Sequence, residues 1–120
     1  MIYLSTPYTG SSKVRLIRFL QRQRNIYLAW RLNGLLWAHG IPAWSPVLNT
    51  ANFELITPLT YFQYLAYDKS FLMNFDAIVM APNWERSNGC REEYELAKKL
   101  GLKIFVLPRD TKLLIEYSSK

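Results

Sequence analysis

The chain has 120 residues and a mass of 14.1 kDa, half hydrophobic, a fifth charged and 15% aromatic, which fits one domain around one core and excludes both a disordered profile and a second domain. Fifteen Lys and Arg against nine acids give a net charge of +6, a balance that favours an anionic partner and leaves nucleotide, nucleic acid and acidic protein open. A single cysteine, Cys90, excludes an internal disulfide, and with His39 it supplies too few soft ligands for a closed zinc site, so neither metal nor cofactor is expected.

The chain opens on MIYLSTPYTG, which has neither a basic n-region nor a small-residue cleavage site, and no later apolar run approaches the ~20 residues of a membrane span. A cytoplasmic protein with no membrane partner is therefore expected. Residues 2–5 (IYLS) read as a buried first strand opening into a turn-rich loop, TPYTGSS. From about 13 to 38, apolar residues recur at helical spacing (Val14, Ile17, Phe19, Leu20, Leu28, Leu32, Leu35, Leu36), with Gly40 and Pro42 as the stop and a possible interruption near Arg24 and Asn25. IPAWS at 41–45 reads as a second strand, and 46–60, with two prolines and no consistent period, as a long functional loop.

A second helix follows, in which Tyr61, Tyr64, Leu65, Phe71, Leu72 and Phe75 share one apolar face, closed by Asp76. AIVMA at 77–81 has the continuous apolar character of a strand buried on both faces. The loop PNWERSNG leads into a third helix from about 89 to 100, capped by Gly101, and KIFVL at 103–107 reads as a fourth buried strand. LLIEY near the C-terminus fits a short helix or an edge strand. Strands alternating with helices predict an α/β fold: a single three-layer Rossmann-like (flavodoxin-like) domain over residues 1–120, with a parallel sheet of four or five strands. Ligands of such sheets bind past the carboxyl ends of the strands, here at 6–12, 46–60, 82–89 and 108–110.

Two acids lie on apolar faces. Asp68 falls inside the stripe of the second helix, where an unpaired carboxylate would cost several kcal/mol, so it must be hydrogen-bonded, ion-paired or at the edge of a cavity. Glu93 shares a face with Leu96, Ala97 and Leu100, whereas Glu92, Glu95 and Lys99 fall on the other side. A Glu in a first helical turn complements the helix dipole, but that explains Glu92 equally and not why Glu93 faces the sheet. Two inward acids point to paired-carboxylate chemistry. Ser87, Asn88 and Gly89, directly before the third helix, offer either an ordinary N-cap or an anion site.

These residues together resemble the nucleoside 2-deoxyribosyltransferase superfamily, in particular a bacterial and phage branch with a YLSTPY-like start and a W-x-x-S-x-G-x-x-x-E segment, here Trp84, Ser87, Gly89 and Glu93. The resemblance spans nearly the whole chain, also through the Asp of the second helix and the strand beginning Asp76-Ala77. It implies that Glu93 attacks C1′ of a deoxyribose to form a covalent glycosyl enzyme, that Asp68 protonates the leaving base or orients the sugar, and that Tyr3 hydrogen-bonds the nucleophile. Related 2′-deoxynucleoside 5′-phosphate N-hydrolases imply a phosphate contact for Ser87. Substrate contacts are further expected from Ser5, Pro7, Tyr8, Ser45, Trp84, Asn88 and Gly89, and a homo-oligomer from the resemblance alone.

The expected function is thus cleavage or transfer of an N-glycosidic bond in a deoxynucleoside or its 5′-monophosphate. The alternatives are a catalytically silent nucleotide-binding module and a nucleic-acid-binding protein using a basic face of the first helix, Arg15, Arg18, Arg22 and Arg24. Tyr8, Trp44 and Trp84 could stack on a base, although packing is the commoner use of an aromatic ring. The second strand and the 46–60 loop carry no base-recognition motif, so the base is not specified.

Overall fold

In the computed structural model, which describes residues 1–119, the chain forms a four-stranded parallel sheet with helices on both faces. The strands are β1 (Ile2–Ser5), β2 (Ala43–Trp44), β3 (Ala77–Met80) and β4 (Lys103–Val106), in the order β2-β1-β3-β4. The helices are α1 (Arg15–Ala38), α2 (Pro46–Asn49), α3 (Tyr61–Leu72), α4 (Asn88–Leu100) and α5 (Thr111–Ser118). The order reverses at β1, so the crevice of this sheet opens at the carboxyl ends of β1 and β3. Those strands are in register from Ile2 opposite Ala77 to Ser5 opposite Met80.

Because successive side chains of a strand alternate between faces, β1 sends Ile2 and Leu4 one way and Tyr3 and Ser5 the other. Ile2 and Leu4 join Ala77, Val79 and Phe105 in a core completed by Leu36 of α1 and Leu114 of α5. Tyr3 joins Ile78, Met80, Leu72 of α3 and Cys90 and Ala97 of α4 in a second core on the opposite face. The three layers of the expected fold are α1 and α5, the sheet, and α3 and α4.

Several elements depart from the sequence expectation. The first helix runs unbroken through Arg24 and Asn25, and it is far longer than the sheet it covers: 24 residues span about 36 Å, a four-residue strand only about 13 Å. It leaves Ile17, Leu20, Leu28 and Leu35 of its expected apolar face exposed, so the apolar period did not mark a fully docked face. The second strand shrinks to two residues because Ser45 caps α2, its hydroxyl accepting from the Leu48 N–H with Pro46 in the first turn. The 46–60 segment is therefore not an open loop, and Phe53–Leu55 adds a 3₁₀ turn.

The second helix starts at a capping box of Thr60 and Gln63 and stops at Leu72, short of Phe75. Of its expected apolar face only Leu72 is buried within the helix, and Phe71 is exposed. The fourth strand is an edge, with Lys103 exposed and only Phe105 of Lys103–Val106 buried, rather than a wholly buried strand. Gly101 closes α4 at φ 73°, a left-handed C-cap as the sequence predicts, and LLIEY is helical. No helix is long and apolar enough to cross a membrane among the described residues.

Candidate active site

The amphipathic α4 presents Cys90, Glu93 and Ala97 to the sheet, one helical turn apart. Glu93 thereby reaches the face of β1 that carries Tyr3 and Ser5. Its Oε1 accepts from the Ser5 hydroxyl at 2.8 Å and its Oε2 accepts from the Tyr3 hydroxyl. Glu93 is 5% exposed and Tyr3 and Ser5 are fully buried, so Glu93 is a buried acid satisfied by two neutral donors and, among the described residues, by no ion pair. Tyr3 is itself held by an edge-on contact with Phe75, 5.4 Å between centroids, and by Trp44 at 5.6 Å. Trp44 is a packing residue, stacked on Phe75 and tilted on Phe71.

Burial pushes the Glu93 carboxyl up to about 7, against the hydrogen bonds from Tyr3 and Ser5, and the charge of Asp68 adds to the rise. Burial, and then the charge of Glu93, hold the Tyr3 hydroxyl far above the ordinary phenol range, so it stays protonated and donates. Asp68, half-buried on α3, is raised to about 6 by burial. Unlike Glu93 it receives no hydrogen bond among the described residues, and with both acids raised the two form one coupled pair that titrates just below neutrality.

Both acids line one small cleft of about 70 Å³. Its walls come from Thr6 and Tyr8 after β1, Pro46 and Val47 at the start of α2, Tyr61, Tyr64 and Leu65 of α3, and Ser87, Gly89 and Cys90 at the start of α4. Asp68 thus fulfils the cavity-edge option open to it from the sequence. The control position behaves as its face requires: Glu92 is exposed and pairs with Lys69 at 2.8 Å. Thr6, Pro46, Val47, Tyr61 and Tyr64 were not singled out as site residues; Tyr61, Tyr64 and Asp68 share the 3- and 4-residue spacing of one helical face, a signal for the cleft that reads equally as core.

The other expected site residues divide. Ser87 caps α4, accepting from the Cys90 N–H at 3.2 Å, and also lines the cleft. A Cβ on Gly89 would meet Tyr61 and Ser87 at ordinary contact distance, so the fold tolerates a side chain there and the open space belongs to the cleft. Asn88 donates to the Tyr61 hydroxyl at 3.4 Å and accepts from Arg91 at 3.0 Å. Tyr8 lines the cleft, but its hydroxyl is bound to Glu54, which also pairs with Arg22 at 2.9 Å. Pro7 lies outside the cleft, on the wall of a neighbouring groove.

Two expected contacts are elsewhere. Trp84 stacks on Tyr94 with 4.4 Å between centroids and packs on the α3/α4 core, lining neither the cleft nor the groove. Ser45 is buried as the cap of α2. The basic face of the first helix also divides, since Arg22 and Arg24 lie about 200° apart around a helix. Arg22 turns to Glu54, and Arg24 to the groove.

The comparisons with known proteins bear on this geometry as follows. A family model described as Domain of unknown function (DUF4406) matches residues 1–106. The chain belongs to that family. The match includes every residue of the cleft and stops before α5. Neither curated proteins nor solved structures give a significant match. Among the described residues no group of three or more His, Cys, Asp or Glu is placed to hold a metal ion.

Proposed function

We propose that this protein cleaves or transfers the N-glycosidic bond of a deoxynucleoside or its 5′-monophosphate, with Glu93 as nucleophile and Asp68 as general acid. The observation that carries the reading is the buried Glu93 carboxylate, held by Tyr3 and Ser5 at the carboxyl end of β1 and facing a cleft that Asp68 shares. In the first step a Glu93 oxygen bonds to C1′ as the C1′–N bond breaks. The bond's electron pair goes to the base nitrogen, which takes the Asp68 proton. In the second, water or another base attacks C1′, the ester to Glu93 breaks, and the incoming nucleophile's proton returns to Asp68. A close carboxylate suits this chemistry because the transition state has oxocarbenium character.

Tyr3 and Ser5 are positioning residues in this scheme. Their two hydrogen bonds fix the carboxylate and, being neutral, do not quench its charge as a Lys or Arg would. A cytoplasmic location accompanies the reading through the single unpaired cysteine. The exposed apolar side chains along α1 support the homo-oligomer, and sedimentation velocity should find an assembly larger than one chain that Leu20→Glu with Trp30→Glu dissociates.

The deciding experiment incubates the protein with a panel of deoxynucleosides and their 5′-monophosphates and follows free base, with rapid-quench mass spectrometry for a deoxyribosyl ester on Glu93. Base release without that adduct would remove the nucleophile role. Binding without release from any substrate would make the protein a silent nucleotide-binding module.

A further inference from the structure

The cleft opens beside a much larger groove of about 820 Å³, with which it shares Thr6, Thr9 and Ser87 as a common wall. Four arginines line that groove: Arg24 and Arg31, seven residues apart on one face of α1, Arg86 before α4, and Arg91 near its start. No carboxylate lines it among the described residues, and none of the four arginines forms an ion pair there. Arg91 is held by neutral acceptors, the Glu85 carbonyl and the Asn88 side chain at 3.0 Å, which orient the guanidinium without spending its charge. The N-terminus of α4 opens on the same space through Ser87 and Asn88.

A second observation points to a ligand. Thr6 is 7% exposed, and its Oγ1 has no hydrogen-bond partner among the described residues, although it lies on the wall common to both cavities. Buried hydroxyls without partners are rare, because each forfeits its hydration. The strap that carries Thr6 is also fixed rather than loose: a Cβ on Gly10 would lie 2.7 Å from the Arg18 carbonyl, and the Gln21 side chain accepts from the Ser12 N–H at 2.9 Å.

We propose that the arginine groove binds the phosphate chain of a nucleotide carrying two or more phosphates, making the cleft and the groove two parts of one substrate site. A monophosphate, at about −1.5 to −2 near neutral pH, leaves half or more of the four arginine charges unmatched, whereas a longer phosphate chain brings the charge to match them. The cleft, at about 70 Å³, is too small for a whole nucleotide, so part of the ligand must lie outside it, and the shared wall gives a route. This rests on the Glu93 reading only in joining the two cavities into one site; anion binding by the groove stands apart from turnover.

The test titrates the protein calorimetrically with inorganic phosphate, inorganic triphosphate, and a deoxynucleoside mono- and triphosphate. The triphosphates should bind at least about tenfold more tightly than their monophosphate counterparts, and salt should erode the difference. Arg24→Gln with Arg31→Gln, both exposed and therefore foldable, should remove that preference, and Thr6→Val should weaken triphosphate binding with the melting temperature unchanged or raised. Equal affinity for mono- and triphosphate, or a preference unaffected by the arginine pair, would overturn the proposal and return these side chains to solvent. A short single-stranded oligonucleotide bound more tightly than the triphosphate, or an assembly state that changes in the arginine variant, would also overturn it, in favour of nucleic acid or a subunit contact. Triphosphate binding without base release sustains this inference against the glycosidase reading, and base release from monophosphates without triphosphate preference does the reverse.

Discussion

The two faces of the sheet share the same four strands but not the same chemistry. On the α1/α5 face, Ile2, Leu4, Ala77, Val79 and Phe105 make a core with no polar side chain from the strands. On the α3/α4 face, Ile78 and Met80 supply the apolar part while β1 turns in Tyr3 and Ser5, and α4 answers with Glu93. A purely apolar face needs only volume and tolerates substitution that preserves it. A buried carboxylate with two donors needs particular atoms in particular places, and loses heavily if one is removed. The difference separates the face that holds the fold from the face that holds the site.

The contrast breaks most sharply at Glu93. Glu93→Gln or Glu93→Ala should lower turnover by roughly 10⁴-fold or more while the protein stays folded, because a nucleophile is lost and a buried charge removed. Glu92→Gln is the control: it is one residue away, in the same helical turn, exposed and paired with Lys69. Comparable losses from both substitutions, read as rates of base release, would dissolve the distinction between the inner and outer faces of α4.

Asp68 sharpens the comparison within the site. Asp68→Asn should slow turnover by about 10²- to 10⁴-fold, with the smaller loss on bases that leave readily, since those need less protonation. The ratio between good and poor leaving groups carries the result. A uniform loss, or a collapsed melting temperature, would assign Asp68 to the wall of the cleft rather than to proton transfer.

The same pair makes stability depend on pH. Glu93 is raised in the fold to about 7 from 4.5, and Asp68 to about 6 from 3.8. A raised acid contributes stability that is full below its unfolded value and is lost as pH climbs through the folded one, so the protein should weaken between about pH 4 and 7. Glu93→Gln removes the larger part of that slope. It should therefore gain on the order of 3 kcal/mol relative to the unchanged protein at about pH 8 and much less at about pH 5, as read by chemical denaturation. Parallel pH profiles for the two proteins would show that Glu93 keeps its ordinary acidity in the fold.

Much of this was legible in the sequence because the decisive elements are local. IYLS, AIVMA and KIFVL are apolar runs with few rivals, Gly101 marks a helix end, and Glu93 shares a helical face with Ala97, so the parallel sheet and the inward acid follow from period alone. What period cannot tell is whether an apolar face meets a partner. The N-terminal half of α1 has the pattern of a docked helix yet extends past the sheet, and Trp84 looks like a ligand contact until Tyr94, ten residues on, takes its face. The arginine groove escapes the sequence for a different reason: Arg24 stands two residues from Arg22 in the chain, but its companion around the helix is Arg31. Thr6 carried no signal, since an unpartnered hydroxyl exists only once its surroundings do.

The smallest expected effect lies at Ser87, where both readings of one residue hold at once. Its hydroxyl oxygen accepts from the Cys90 N–H, so Ser87→Ala costs the cap, about 1 kcal/mol of stability, whatever else the residue does. The same hydroxyl keeps its proton free to donate, and it lines both the cleft and the groove. Stability therefore cannot separate a cap from a phosphate contact, but substrate comparison can. Ser87→Ala should raise KM for a 5′-monophosphate about 10- to 100-fold more than for the corresponding nucleoside, because a hydrogen bond to a charged oxygen exists only when the phosphate is present. If KM moves equally for both, the hydroxyl serves α4 alone, and the anion must be held by the arginines without it.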